Sequence, residues 1–380
     1  MSRIAELARE KKVLVCVGPG GVGKTTTAAA LGALAARQGR RTLVCTIDPA
    51  PRLADALGVG QLGPEARAVP PEACRVLGID APERYFAVRL DTARAFATLV
   101  KEQVPDPVVR ARIFANPIYR EITTSLTGSQ EYAATLALYE LATHGSYDLI
   151  VLDTPPTANA LDFLDAPKRI EAAVSSPALQ WLMRPPENAG LFSLQRLRAG
   201  GALVLRRLGK LVGSQFLDDI GAFLTDFQIV LSGFLERAAE IDRLLRGPDV
   251  SFLLVLAPEV AAVDEAMYFH GRLREAAIPL GGFVANRVHP APGLSDAGAL
   301  AAALRARPEI RGVAPAAIDD VAARLASIAR EAEALHASER RELGRLASSA
   351  PGIPVHEVPL LDHDVDGLAE LRTVGNYLAG

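Results

Sequence analysis

The sequence contains few cysteines and few aromatic residues. Only three of its 380 residues are cysteines, at positions 16, 45 and 74, and no two have the Cys-x-x-Cys spacing. This argues against a disulfide framework and against a zinc clasp between subunits. Cys16 and Cys45 stand within apolar runs, so we expect both to be buried. Aromatic residues make up 5% and apolar residues 49%, and aliphatic side chains must therefore fill most of the core.

The sequence also lacks an excess of positive charge and any long apolar run. The net charge is −3 at pH 7, so no overall basic field indicates a nucleic-acid partner. No stretch approaches the roughly 20 apolar residues that span a bilayer, and the first residues do not resemble a secretory signal. We predict a cytoplasmic protein, with a place at the periphery of a membrane left open.

Short apolar runs alternate with helix-favouring stretches along the chain. The runs that predict strands lie at 13–17, 42–47, 147–152, 251–257, 281–285 and 354–358. They are nearly continuous, which is typical of strands that helices cover on both faces of a parallel sheet. Strand, loop, helix and strand follow one another at the start of the chain, as in a βαβ unit. We predict an α/β fold with a mainly parallel sheet.

The domain organisation follows from where the strand signals stop. No strand signal appears between about 166 and 248, whereas helical patterns appear there, at 129–144 and at 294–348. We predict one composite domain, in which residues 1–165 and 251–380 form the core. Residues 166–250 would then form a helical insertion subdomain.

A glycine-rich segment follows the first predicted strand. Residues 18–25 read GPGGVGKT, which fits the phosphate-loop pattern G-x-x-x-x-G-K-[ST] between a strand and a helix. Glycines let backbone N–H groups converge on phosphate oxygens, and the helix N-terminus adds its dipole. Lys24 can reach the β and γ phosphates, and the Thr25 hydroxyl can bind Mg²⁺. The pattern predicts a P-loop nucleotide-binding fold.

Two aspartates end predicted strands in the same way. Asp153 follows the run LIVL, and Asp48 ends the strand at 42–47. In an open parallel sheet the carboxyl ends of the strands face the ligand crevice. We therefore expect Asp48, Asp153 and the loop at 18–25 to meet at one site, with Asp153 binding Mg²⁺ through water.

The motifs jointly resemble a known family. GPGGVGKTTT is similar to the deviant Walker A loop of dimeric P-loop ATPases. IDPAPRLADALG at 47–58 and DTPPTANALDFLDAP at 153–167 resemble the two switch segments of the arsenite-pump ATPase, ArsA, and of the GET-pathway ATPase that targets tail-anchored proteins. FVANRVHP at 283–290 and VPLLDHDVDGL at 358–368 are similar to their adenine-contacting strand and the loop that covers the base.

The resemblance implies an ATP hydrolase that uses ATP and Mg²⁺. The residues implied to bind the nucleotide are Gly20, Gly21, Val22, Gly23, Lys24, Thr25, Thr26, Asn286 and Pro359. Lys24 and Asp48 are the implied catalytic residues, and Asp48 would orient the attacking water. Thr25 and, through water, Asp153 are the implied metal ligands. The implied switch residues are Asp48, Pro49, Ala50, Asp153, Thr154, Pro155, Pro156 and Thr157.

One departure from the family pattern bears on hydrolysis. The family loop usually carries a signature lysine at the second position, which reaches the partner's phosphates across a dimer, but this chain has Pro19 there. Proline has neither charge nor a donor. Two alternatives stay open: a heterodimer with a related subunit that keeps the lysine, and a homodimer in which an arginine substitutes.

Three functions of different class stay open. The first is a switch ATPase that closes as a dimer and binds a hydrophobic or membrane-associated partner through the helices at 166–250. The basic stretch 188–217 and the apolar face Phe216–Phe234 are the candidate contact segments. The second is a nucleotide-binding regulatory subunit with weak turnover. The third energises an anion efflux pump; because no cysteine follows Cys74, we expect no metalloid thiolate site.

Overall fold

The chain divides into two compact units. The computed structural model describes residues 2–116, 119, 129–154, 230, 233, 235–293, 296–365 and 367–380. The first unit comprises Met1–Val88, Tyr147–Thr157 and Pro248–Gly380, and the second comprises Arg89–Ser146 and Ala158–Gly247. The stretch 188–217 lies outside the described residues, as does most of the predicted insertion at 166–250, which stays a prediction.

An eight-stranded sheet forms the centre of the fold. Its strands are β1 Val13–Val17, β2 Thr42–Thr46, β3 Arg67–Ala68, β4 Tyr85–Arg89, β5 Leu149–Asp153, β6 Val250–Leu256, β7 Leu280–Val288 and β8 Val355–Pro359. They lie in the order β3-β4-β2-β5-β1-β6-β7-β8. From β2 to β8 along this order, neighbouring strands pair in parallel, and β3 pairs with β4 antiparallel. The predicted α/β fold with a mainly parallel sheet is confirmed.

The helices described are α1 Arg3–Glu10, α2 Lys24–Arg37, α3 Arg52–Leu57, α4 Pro71–Leu77, α5 Thr92–Gln103, α6 Pro107–Ala115, α7 Ser129–His144, α8 at 235–246, α9 Val260–Glu275, α10 Ala297–Arg305, α11 Pro315–Ser349 and α12 Leu368–Ala379. The predicted helix at 129–144 is confirmed as α7. The predicted helical region at 294–348 contains α10 and α11. No helix among these is both long and apolar enough to cross a membrane.

The central strands are buried along their whole length. Every residue of β1, β2, β5 and β6 is buried, because the parallel sheet is covered on both faces. Cys16 and Cys45 are fully buried, as predicted, and burial raises the pKa of both thiols. The core therefore holds β1 and β5 firmly beside each other, with their carboxyl ends at one edge.

Strands β3 and β4 carried no clear sequence signal. β4 reads YFAVR and alternates only in part between buried and half-buried residues. Tertiary packing supports it instead: Tyr85 is buried and its hydroxyl donates to the carbonyl oxygen of Ala29 at 2.7 Å. That contact ties β4 to α2, the helix that follows the phosphate loop.

The described part of the second unit is helical. Arg237 on α8 forms ion pairs with Glu102 on α5 at 2.9 Å and with Glu140 on α7 at 3.1 Å. Its guanidinium also lies 4.5 Å from the centre of the Tyr139 ring. The side chain of Arg237 is only 12% exposed, so these contacts join three helices around one largely buried cation.

Candidate functional site

The phosphate loop joins β1 to α2 through a backbone that requires glycine. Gly18 has φ of 151° and Gly23 has φ of 93°, values that L side chains rarely adopt. Space is also missing at both positions: a Cβ at Gly18 would lie 1.9 Å from the Val255 carbonyl oxygen, and one at Gly23 would lie 2.3 Å from Asn286 Nδ2. Both the backbone conformation and the lack of space therefore require glycine at positions 18 and 23, the two glycine positions of the motif.

We expect Gly18→Ala to lower the free energy of unfolding by about 2–4 kcal/mol, since both strain and a backbone clash oppose it. Urea unfolding of the full chain measures this. Gly344→Ala on α11 is the matched control, because a Cβ there meets nothing within 4 Å. In a helix interior that control should stabilise the chain by about 0.5–1 kcal/mol. Equal effects at the two positions would contradict the steric argument.

Lys24 lies folded back against the loop that precedes it. Its Nζ donates to the carbonyl oxygens of Gly18 at 3.0 Å and Pro19 at 2.7 Å, and the residue is only 8% exposed. Burial lowers the pKa of Lys24, while the carboxylate of Asp153 raises it. The ammonium is thus held at the loop, with partners that an anion can replace.

Asp153 ends β5 within reach of the phosphate loop. Its Oδ2 accepts hydrogen bonds from the Thr25 hydroxyl at 2.8 Å and from the Thr46 hydroxyl at 3.1 Å. Its Oδ1 is buried and has no hydrogen-bond partner among the residues that the structure describes. Buried polar atoms are nearly always paired, so this unpaired oxygen requires an explanation.

The environment of Asp153 fits a divalent cation. Burial raises the pKa of this carboxyl to about 6, against the lowering effects of the two threonine hydroxyls and Lys24. A bound cation would supply the compensation that the carboxylate lacks, and Mg²⁺ takes oxygen ligands of this kind. The Thr25 hydroxyl therefore suits the predicted role of a metal ligand. Asp153 Oδ1 suits the predicted contact with the metal through a water molecule.

Asp48 lies at the carboxyl end of β2, on the same edge of the sheet. Its Oδ1 accepts from the backbone N–H of Ala50 at 2.9 Å, and its own N–H donates to Thr46 Oγ1 at 3.2 Å. Its Oδ2 lies 3.7 Å from Arg52 NH1, which is an ion pair longer than a hydrogen bond. One carboxylate oxygen is therefore fixed, and the other is held only loosely.

Lys24, Thr25 and Asp48 line one cavity of about 440 Å³. Asp153 is hydrogen-bonded to Thr25 but is not itself among the described lining residues. Its described lining residues are Gly20, Gly21, Gly23, Lys24, Thr25, Thr26, Asp48, Arg52, Asp55, Ala56, Thr154 and Val365. The predicted convergence of the phosphate loop with Asp48 and the end of β5 is thus seen in the fold. Glycine backbone, a lysine and hydroxyl groups around a concave space are suited to phosphate groups.

The residues predicted to contact adenine lie beside the loop rather than among the described lining of the cavity. Asn286 Nδ2 donates to the carbonyl oxygen of Val22 at 2.8 Å. Arg287, with φ of 62°, forms a bulge next to it, and Val288 pairs with Pro359. Asn286 therefore braces the phosphate loop in this structure, and the adenine contacts of Asn286 and Pro359 stay predictions.

The second predicted switch segment is described only at its start. Thr154 Oγ1 donates to the Cys16 carbonyl oxygen at 2.8 Å, which ties the end of β5 to β1. Pro155, Pro156 and Thr157 lie outside the described residues. On the first segment, Pro49 and Ala50 follow Asp48 directly.

Sequence reasoning missed several residues of the site. Thr46 was not singled out, although a hydroxyl two residues before Asp48 at a strand end is a usable signal. Arg52, Asp55 and Ala56 have the i, i+3, i+4 spacing of one helical face, and all three line the cavity. Val365 lies in the segment 358–368 that was noted by resemblance, but that resemblance did not assign it a role; the return of the chain after β8 brings it to the phosphate loop.

Comparison with known proteins identifies relatives of this chain. Residues 11–186 match the family model described as anion-transporting ATPase. The chain is 30% identical over 241 residues to the ATPase get3 of Aspergillus terreus, a match covering 60% of this chain and 66% of that protein. An uncharacterised protein of Streptomyces coelicolor is 33% identical over 186 residues, which are 48% of this chain and 43% of that protein.

A more distant relative extends the match. A putative arsenical pump-driving ATPase of Aquifex aeolicus is 24% identical over 260 residues, 67% of this chain and 58% of that protein. The matched part of the chain spans from 43% to 66% of the length of these relatives. The family model covers β1, the phosphate loop, β2 and β5. Residues 11–186, the part of the chain that holds the phosphate loop, are similar to the ArsA-type anion-transporting ATPase family.

Proposed function

We propose that this chain is an Mg²⁺-dependent ATP hydrolase that works as a nucleotide-controlled switch. The observation that carries the proposal is the buried Asp153 carboxylate. Its Oδ2 is fixed by two hydroxyls, and within the described part of the chain its Oδ1 has no partner. A protein retains such an uncompensated group where a ligand completes it. The phosphate loop at the same edge of the sheet indicates which ligand.

The chain's own groups would bind the nucleotide as follows. Backbone N–H groups of the loop, from Gly20 to Thr25, hold phosphate oxygens, since the glycine conformations leave them unobstructed. Lys24 exchanges its two carbonyl partners for phosphate oxygens, a stronger charge-assisted contact. Thr25 and, through water, Asp153 would hold the magnesium ion, which when bound would neutralise charge that develops on the phosphates.

Hydrolysis would depend on positioning and electrostatics more than on covalent chemistry. Asp48 keeps one oxygen in its turn with Ala50, and the other can accept a proton from an attacking water. The carboxylate thus orients the water while the turn holds the carboxylate in place. Asp48 and Lys24 are the proposed catalytic residues.

The switch itself would transmit the state of the site through the segments that follow Asp48 and Asp153. We include in the proposal a dimer, formed with a second copy or with a related subunit. The helices at 166–250 would bind a hydrophobic or membrane-associated partner. The alternative partner is an anion pump, in line with the description of the matching family model.

A second candidate function is a regulatory subunit that binds ATP and turns it over weakly. The observation that favours it is Pro19, which occupies the position of the family's signature lysine. Pro19 is buried, and its carbonyl oxygen is used by Lys24. This chain therefore supplies no charge from that position to a partner.

ATP turnover by the purified chain distinguishes these functions. We would measure phosphate release with Mg²⁺ and with EDTA, over a range of protein concentrations, beside Lys24→Ala as the blank. Magnesium-dependent release above the blank is the expected result, and a specific activity that rises with concentration would indicate a homodimer. ATP binding without release would support the regulatory function, and absence of both binding and release would refute the proposal.

A further inference from the structure

Arg52 is the cavity residue for which neither the fold nor the family resemblance supplies a role. It is the first residue of α3, and its side chain is 68% exposed while it lines the cavity. A cation at the first position of a helix lies at the unfavourable end of the helix dipole. Helix stability therefore does not explain why an arginine stands there.

The charges around the cavity are unevenly distributed. Among its described lining residues, Lys24 and Arg52 are the cations, and Asp48 and Asp55 are the anions. Asp153 adds a buried carboxylate beside Thr25. Because Pro19 contributes no charge, Lys24 and Arg52 are the cationic side chains among the described lining residues that could face a triphosphate.

The only described contact of the Arg52 guanidinium is weak. NH1 lies 3.7 Å from Asp48 Oδ2, beyond hydrogen-bond distance, and an exposed pair of this kind is held only loosely. Asp48 does not depend on it, because its Oδ1 is fixed by the N–H of Ala50. Arg52 can therefore leave Asp48 without disturbing the position of that carboxylate.

We propose that Arg52 binds the terminal phosphate of ATP from within the same chain, and so takes the place of the lysine that Pro19 removes. Guanidinium groups bind phosphate through two parallel hydrogen bonds. In this structure the same guanidinium pairs with Asp48. Binding of the third phosphate would then release the Asp48 oxygen that is proposed to orient water.

The inference rests on the proposed function, and it predicts that the chain prefers a nucleoside triphosphate to a diphosphate. Arg52 should distinguish a nucleoside triphosphate from a diphosphate, since only the former carries the terminal phosphate. Lys24 and the loop backbone, in contrast, would hold both. Loss of Arg52 should therefore reduce the affinity for the triphosphate selectively.

Titration calorimetry on the full chain tests this with Mg²⁺ and either ADP or a non-hydrolysable ATP analogue. Arg52→Ala should weaken binding of the analogue about tenfold to a hundredfold and binding of ADP less than about threefold. Arg75→Ala is the matched control: Arg75 is an exposed arginine paired with Glu72 at i, i+3 and 3.4 Å. It should change neither affinity.

The outcomes separate this inference from the proposed function. If Arg52→Ala binds both nucleotides as the unaltered chain does, the role of Arg52 is refuted while the ATPase proposal stands. If Arg52→Ala weakens binding of the analogue and of ADP equally, Arg52 does not bind the third phosphate. Arg52→Lys should bind the analogue with an affinity between those of the unaltered chain and Arg52→Ala. If Arg52→Lys binds the analogue no more tightly than Arg52→Ala, the charge of Arg52 does not contribute to binding. A chain that binds neither nucleotide refutes both proposals.

Discussion

Lys24→Ala is expected to weaken Mg²⁺·ATP binding by at least about a hundredfold, because a charge-assisted contact is lost where water is largely excluded. Lys24 is 8% exposed, and its described hydrogen-bond partners are the carbonyl oxygens of Gly18 and Pro19. Without the nucleotide those carbonyls can be solvated from the cavity. The free energy of unfolding should therefore change by only about 1 kcal/mol.

Two further variants test whether the loss of nucleotide affinity comes from the missing charge of the Lys24 ammonium. Lys24→Met keeps most of the apolar stem and should lose as much affinity as Lys24→Ala. Lys101→Ala, at an exposed position on α5, should bind as the unaltered chain does. Calorimetric titration measures all three, and an Lys24→Met variant that retained affinity within about threefold would overturn the assigned role.

Asp153→Asn is expected to reduce magnesium-dependent ATP turnover about a hundredfold while improving the stability of the nucleotide-free chain above pH 6. The first effect follows because a neutral amide is a weaker partner for the hydrated cation than a carboxylate. Phosphate release at several magnesium concentrations measures it. Retention of full turnover would remove Asp153 from the metal site.

The stability effect has a defined dependence on pH. The pKa of Asp153 is raised from 3.8 to about 6 in the folded chain, so between these values the folded state binds a proton that the unfolded state has released. The ionised carboxylate therefore destabilises the fold fully above pH 6, by about 3 kcal/mol at 1.36 kcal/mol per pKa unit. This destabilisation disappears as the pH falls towards 4.

Urea unfolding at pH 4.5 and pH 8 tests the sign. The stability of Asp153→Asn relative to the unaltered chain should be more favourable at pH 8 than at pH 4.5, by about 2 kcal/mol. Asp80→Asn, at an exposed position, should show the same relative stability at both pH values. A difference of the opposite sign at position 153 would show that the buried carboxylate is already compensated without a ligand.

Local pattern was sufficient to predict the centre of the fold. β1, β2, β5 and β6 are continuous apolar runs, and complete burial on both faces permits no other pattern. β4 was missed because its residues are only partly apolar, and the strand depends on the distant contact between Tyr85 and Ala29. The strand is stabilised by α2, which is too far from residue 85 in the sequence for a local pattern to reveal the contact.

The same division holds within the site. The phosphate loop could be read directly, because glycine spacing, Lys24 and Thr25 are local requirements of phosphate binding. Asn286 could be noticed only by resemblance. Its hydrogen bond to Val22 joins residues 264 positions apart, so no local pattern predicts it.

The sequence by itself determined the phosphate loop and the strand-ending positions of Asp48 and Asp153, because these depend on residue type and on the period of apolar residues. Only the tertiary structure decided that Thr25 and Thr46 share one oxygen of Asp153, while the other has no partner among the described residues. Likewise, only the structure placed Arg52 in the cavity beside Asp48. Such contacts arise because parallel strands bring distant residues to one edge of the sheet, where the charge and solvation of each group depend on its neighbours.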